Sequence, residues 1–375
     1  MDWERTRAFF PVLEELLPLD HAGRAPLSTR AGDALVRYAH QAARAPGARP
    51  EAFETDRERV RGRAARLLGA TPEEVAFVRN TTAGLGLVAR GLAWRPGDRV
   101  VTSALEYPSN VTVWLGLRDQ GVETRLLPER DGRLELEDLA RALEDPGVRL
   151  VSLSSVAFAS GDPLDLPRAG RLCAERGVLF CVDAIQSVGL LPVDVRAAGI
   201  DFLAAGGQKW LCAGEGAGLL YCARERLRQL APPVLGWRNV RDVGDAPPYP
   251  TTPLDTAMRF EEGAPNTPGI LALGAAIDLA LELGVERIAA RVETLTRRLA
   301  EGLAAAGAEL VAPRPAGRTS GIVAFRRPDE EPAQTAARLA AGDVVARVRR
   351  GAVRLAPHYY LRESEMDAVV GLATG

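Results

Sequence analysis

One residue stands out by type. Of the 47 lysines and arginines in the chain, only Lys209 is a lysine. Arginine carries surface charge as well as lysine does, but it stays protonated and cannot become a nucleophilic amine. A desolvated lysine can lose its proton and condense with a carbonyl to form a Schiff base. The retained lysine therefore suits covalent chemistry, although a drift toward Ala, Arg and Gly could leave one ordinary lysine by chance. Its setting favours the chemistry: an apolar run, 200–205, and then Gly206-Gly207 lead into Gln208-Lys209-Trp210. Such a run reads as the end of a buried strand whose backbone can be approached closely.

Other polar residues follow apolar runs in the same way. Asn80-Thr81-Thr82-Ala83-Gly84 lies between a strand-like run and a helical one. A helix N-terminus there would offer free N–H groups and Thr hydroxyls to a phosphate; simple capping by Asn or Thr explains the same residues. Gly84-Leu85-Gly86-Leu87-Val88-Ala89 formally fits the dinucleotide fingerprint G-x-G-x-x-A, but these glycines fall inside the expected helix, not in the turn before it. Asp183 ends the run 178–182, and Gln186 follows three residues later. A carboxylate there could keep a pyridinium nitrogen protonated, or it could cap and salt-bridge. Tyr107 could stack on a flat ring or pack in the core. Arg354, between apolar neighbours, has the fork to bind a carboxylate; in so arginine-rich a chain only its position argues for that role.

The elements that must position these residues alternate. Strand-like runs at 75–78, 99–102, 123–127, 149–154, 179–183, 202–205 and 218–222 are mostly separated by segments of helical period. This is the pattern of an α/β fold with a largely parallel sheet covered by helices on both faces. Ligands bind beyond the carboxyl ends of such strands, which is where the polar residues fall. Upstream, 3–17 has the period of an amphipathic helix stopped by Pro18, and 20–27 is a loop punctuated by Gly and Pro. A helix begins near Ser28, 45–50 is a break, and an Arg/Glu-rich helix runs to Leu68. Downstream, 232–256 is a long Pro-, Gly- and Asp-rich loop, followed by helices at 268–284 and 285–306. The tail alternates strands at 309–311, 321–326, 344–347 and 352–355 with helices near 332–341 and 363–372. The expected organisation is an N-terminal segment, 1–20, packed with the C-terminal part; a large domain, 21–256; and a smaller α+β domain, 257–375.

Composition narrows the function. A net charge of -2 and a pI near 6.1 argue against nucleic acid as a partner. No apolar run is long enough to span a membrane, and the charged start Met1-Asp2-Trp3-Glu4-Arg5 lacks a signal peptide's apolar core. The four cysteines, Cys173, Cys181, Cys212 and Cys222, form no CxxC pair. They read as reduced, buried thiols of a cytoplasmic protein. His21, His40 and His358 show no metal-ligand spacing, so no metal is expected.

Taken in order, Asn80–Gly84, Val182-Asp183-Ala184-Ile185-Gln186, Gly207-Gln208-Lys209-Trp210, the stretch 259–266 and Val353-Arg354-Leu355-Ala356-Pro357-His358 resemble the class V aminotransferase-fold, PLP-dependent enzymes. Cysteine desulfurases, selenocysteine lyases and isopenicillin N epimerase-like proteins share this pattern. The resemblance spans nearly the whole chain. It implies a fold-type I enzyme using pyridoxal 5'-phosphate (PLP) on an amino-acid-like substrate, usually as a homodimer. It carries over Lys209 as the Schiff-base lysine, Asp183 as partner of the ring nitrogen and Gln186 as a contact of the phenolic oxygen. Thr82, with the backbone at Thr81 and Ala83 and help from Gln208, would hold the phosphate. Tyr107 would stack on the ring. Arg354 would take the substrate carboxylate, with His21 also on the substrate side.

Three departures are informative. Ser155, expected at the cofactor, stands where desulfurases usually have an asparagine. Ala264 stands where a threonine often reaches the partner subunit's phosphate. The desulfurase nucleophile lies on a loop before the final strand, whereas this chain runs almost directly from 344–350 into Ala352 and has no cysteine after Cys222. Persulfide formation needs a thiolate, so desulfurase activity is not expected. The resemblance leaves β-elimination such as C–S lysis, transamination and epimerisation open, the first two favoured. A catalytically inactive binding partner of the same fold is the alternative from another class.

Overall fold

Seven strands form the central sheet of the computed structural model, which describes residues 3–44, 50–312 and 320–375. The strands are β1 Val75–Val78, β2 Arg99–Ser103, β3 Glu123–Leu127, β4 Val148–Ser154, β5 Leu179–Asp183, β6 Phe202–Gly206 and β7 Gly218–Cys222. Their spatial order is β1-β7-β6-β5-β4-β2-β3. β7 runs antiparallel to both of its neighbours, and the other pairs are parallel. The carboxyl ends of β1 to β6 therefore share one edge. This is the α/β sheet expected from the alternation, and it has the order and direction of a fold-type I PLP enzyme.

The sheet is apolar on both faces because helices cover both. β5, β6 and β7 are buried at every position, as for strands inside an α/β sandwich. Alternate residues feed two cores: Phe180 and Val182 enter one, Leu179 and Cys181 the other. The helix Thr81–Gly91 lies close against β6 because Gly84 has no side chain. A Cβ at Gly84 would stand 2.8 Å from the Ala204 Cβ. Gly84 and Gly86 lie inside this helix, which removes the dinucleotide fingerprint.

A smaller antiparallel sheet of four strands follows: β8 Glu309–Leu310, β9 Val323–Arg326, β10 Arg347–Arg349 and β11 Ala352–Leu355, in the order β10-β11-β9-β8. Arg350 and Gly351 join β10 to β11 with φ of 49° and 70°. Positive φ at both central residues gives the tight hairpin turn that matches strand twist. The helix Thr267–Leu283 packs against the helices Thr29–Arg44 and Pro50–Leu68. It is thus layered on the larger body and not on the C-terminal sheet.

The N-terminus departs from the expected single helix. Trp3–Arg7 is helical, Pro11–Glu14 forms one 3-10 turn, and Leu17–Pro18 is extended. Pro11 has no N–H to continue the helix. Leu17–Pro18 instead pairs in parallel with Val344–Val345, and Asp20 bridges to Ala356. This crossing brings the N-terminal segment against the strand that carries Arg354. The break expected at 45–50 falls, apart from Pro50, outside the described residues.

Candidate active site

Lys209 follows β6 in a tight turn closed by the Cys212 N–H on the Lys209 carbonyl at 2.9 Å. Among the described residues its Nζ has no hydrogen-bond or ion-pair partner. Burial pushes the amine down to about 8; the Asp183 charge pulls it back up, and Arg354 pushes it further down. The uncharged amine is the form that attacks a carbonyl, and burial brings its formation much closer to neutral pH than for an exposed lysine.

Asp183 ends the neighbouring strand and is buried. Its Oδ1 accepts from the Ile185 N–H at 3.0 Å. Burial pushes the carboxyl up to about 6, against that hydrogen bond and the Lys209 charge. Trp210, adjacent to the lysine, donates to the Gln186 carbonyl oxygen at 2.9 Å, while the Gln186 amide donates to the Ala22 carbonyl at 3.0 Å. Gln186 thus has one amide hydrogen left for a ligand.

Tyr107 stands over the lysine: its ring centroid is 5.8 Å from Nζ and the residue is 47% exposed. Phe158 holds it edge-on at 5.2 Å. On the other side is the start of the helix Thr81–Gly91. Asn80 caps it by accepting from the Ala83 N–H at 2.8 Å, so the N–H of Ala83, expected at the phosphate, is already committed. The N–H groups of Thr81 and Thr82 have no partner among the described residues. The Thr82 hydroxyl donates to Ser109 at 2.8 Å, and the Thr81 hydroxyl accepts from the Gly206 N–H at 3.0 Å. The Gln208 side chain folds back over Gly206, where a Cβ would meet its Oε1 at 2.2 Å. A free amine, a buried carboxylate, a half-exposed aromatic face and two free helix N–H groups fit a phosphorylated pyridine aldehyde.

Two expected ligands are not presented. His21 is fully buried; its Nδ1 lies 2.8 Å from the Ala356 carbonyl and its Nε2 2.6 Å from the Tyr360 hydroxyl. Burial pushes its pKa down to about 4. It is a packing residue between Trp210, His358 and Tyr360, because the strand pairing of its neighbours turns it inward. Ser155 is also engaged: its hydroxyl lies 2.7 Å from that of Ser187 and donates to the Asp183 carbonyl at 3.3 Å. It braces the strand end that carries Asp183.

Arg354 is on the site side but is not empty-handed. One Nη donates to Asp20 and the other to the Phe158 carbonyl, each at 2.7 Å, while its buried Nε has no partner. Asp20, the neighbour of His21, is the carboxylate that engages Arg354. The turn around it is tight: a Cβ at Gly23 would stand 2.5 Å from the Asp20 carboxylate. Glu106 precedes Tyr107 in the loop after β2. It is buried, accepts from the Ser154 N–H at 2.7 Å and from Asn110 at 2.9 Å, and is pushed up to about 7 by burial.

With this geometry, comparisons with known proteins agree. Residues 19–365 match the family described as aminotransferase class V. The chain is 33% identical over 303 residues to a probable cysteine desulfurase of Methanothermobacter thermautotrophicus, covering 80% of this chain and 75% of that one. The apo structure of a cysteine desulfurase from Thermococcus onnurineus superposes with a TM-score of 0.91 at 28% identity, covering 98% and 96% of the two chains. The structure of a cystine C–S lyase with its reaction product cysteine persulfide superposes with a TM-score of 0.90 at 25% identity, covering 97% and 99%.

Proposed function

This chain belongs to the class V aminotransferases and depends on pyridoxal phosphate; on that premise we propose that it cleaves the Cβ–S bond of a cysteine-derived amino acid by β-elimination. The observation that carries the reading is a Lys209–Asp183 site without a usable thiol. All four cysteines are buried, and burial pushes each thiol well up, away from the thiolate. Before the final strand, the two-residue turn Arg350-Gly351 leaves no room for a cysteine loop. The likeness to a cystine C–S lyase supports the same chemistry.

PLP, when bound, supplies an electron sink for the Cα carbanion. Lys209 would hold the cofactor and, once released by the substrate amine, take the Cα proton on Nζ. Asp183 would keep a proton on the ring nitrogen. Tyr107 would cover the ring, and the Thr81 and Thr82 N–H groups would hold the phosphate. Arg354 would orient the substrate carboxylate through its free Nε–H. As the Cα proton leaves, the Cβ–S bond breaks and the sulfur departs with the bonding pair. The released enamine hydrolyses to pyruvate and ammonia. The reading includes a cytoplasmic homodimer. The test is pyruvate and ammonia release from an S-substituted cysteine by PLP-loaded enzyme without any keto acid. A strict need for a keto acid would instead make the enzyme a transaminase.

A further inference from the structure

The β10–β11 hairpin places more positive charge at the site than a monocarboxylic amino acid needs. Arg347 pairs directly opposite Arg354 across the two strands, and Arg349 lies two residues along β10, opposite Ala352. With the period of a strand, Arg347, Arg349 and Arg354 share one face. Asp20 is the carboxylate on that face: its Oδ1 takes Arg354 at 2.7 Å and its Oδ2 takes Arg347 at 3.1 Å. Arg349 forms no ion pair among the described residues; its guanidinium donates only to the adjacent Val348 carbonyl, at 3.3 Å. Its charge nevertheless reaches both Lys209 and Arg354.

Two unmet cationic donors therefore remain near the lysine: the buried Nε–H of Arg354 and the guanidinium of Arg349. One substrate carboxylate answers the first. The second is rooted about 7 Å further along the strand, where a second anionic group of the same ligand would meet it. The hairpin that carries Arg349 is held in place. Arg350 donates to the Ala104 carbonyl at 2.6 Å and packs over the Phe158 ring at 5.4 Å, the ring that supports Tyr107. The turn is two residues long and has no slack to carry Arg349 away.

We infer that the substrate is an amino acid whose side chain ends in a second anionic group, and that Arg349 binds that group. The inference deepens the function proposed above and rests on it. Disulfide amino acids with a carboxylate at each end belong to this class, and so do S-carboxyalkyl cysteines. Asp20 acts as a positioning residue, dividing its oxygens between Arg347 and Arg354 so that neither closes over the site.

The test uses PLP-loaded enzyme and ligands that bind without reacting. Calorimetry should show adipate binding at least about tenfold more tightly than hexanoate, about 1.4 kcal/mol. Arg349→Gln should lose most of that preference, and Arg349→Lys should restore part of it. In turnover, the KM ratio of S-ethylcysteine to S-carboxyethylcysteine should fall by a similar factor in Arg349→Gln. Equal affinity for the two acids in the wild type, or an undiminished preference in Arg349→Gln, would overturn the inference. Failure of elimination would leave the calorimetric preference intact, so the two failures are distinguishable.

Discussion

Two groups of buried charges in this molecule are built on opposite principles. Under the edge of β1, Arg61 donates to both oxygens of Glu261 at 2.6 and 3.2 Å, to Glu58 at 2.9 and 3.0 Å and to the Val75 carbonyl at 2.7 Å. Glu261 also accepts from the Phe77 N–H at 2.9 Å. Burial opposes the Arg61 charge, but Glu261 and Glu58 outweigh it and hold the guanidinium above its ordinary value. At the carboxyl edge of the sheet burial wins instead: Lys209 goes down to about 8 and Asp183 up to about 6. The first group is satisfied from within the chain. The second is short of partners, and buried charges left unmet mark where a ligand is to supply them.

The comparison can be broken at several points. The largest effect belongs to Lys209. Lys209→Ala should lower kcat by about 10⁴-fold or more and abolish the visible absorption band of the PLP-loaded enzyme, with no loss of stability in urea. A large fall in stability would put Lys209 in the structural class. Glu261→Gln should do the reverse, lowering stability by about 3–5 kcal/mol in urea melts because Arg61 is left buried and underpaired. Its kcat per folded molecule should stay near that of the wild type. Asp183→Asn should reduce kcat by about 10²- to 10³-fold without destabilising the cofactor-free protein, since a buried carboxylate is removed.

The pH dependence is the finest of these tests. Below about pH 8 the Lys209 amine is mostly protonated, and the fraction free to react rises about tenfold per pH unit. PLP uptake by cofactor-free enzyme should therefore accelerate with pH up to about 8 and then level. An unperturbed lysine would keep accelerating toward about 10.4. Because the Asp183 charge raises the Lys209 value, Asp183→Asn should move the plateau to lower pH. Stopped-flow absorbance reads both.

Most of the fold was legible because it is written locally. Apolar runs of strand length, broken by helical periods, mark every strand of the main sheet, and the residue after each run marks the site edge. Lys209 and Asp183 both lie at the ends of such runs. What the sequence hides is closure over long separations. Asp20 and Arg354 are 334 positions apart, and nothing local says that the pairing of Leu17–Pro18 with Val344–Val345 brings them together. The same pairing turns His21 inward onto Ala356 and Tyr360 and puts the Asp20 carboxylate on Arg354. The first helix was overextended because its apolar period continues past Arg7, where the helix ends, and Pro11 has no N–H to carry it on.

The most direct measurement is of what becomes of the carbon skeleton. Elimination releases pyruvate, whereas transfer of sulfur to a protein thiol leaves Cβ to be protonated and releases alanine. PLP-loaded enzyme given cysteine without a keto acid should form pyruvate, ammonia and sulfide in equal amounts, no alanine, and no added sulfur mass on the protein. Alanine as the main product, with a sulfur atom added to Cys212 or any other cysteine, would contradict the account.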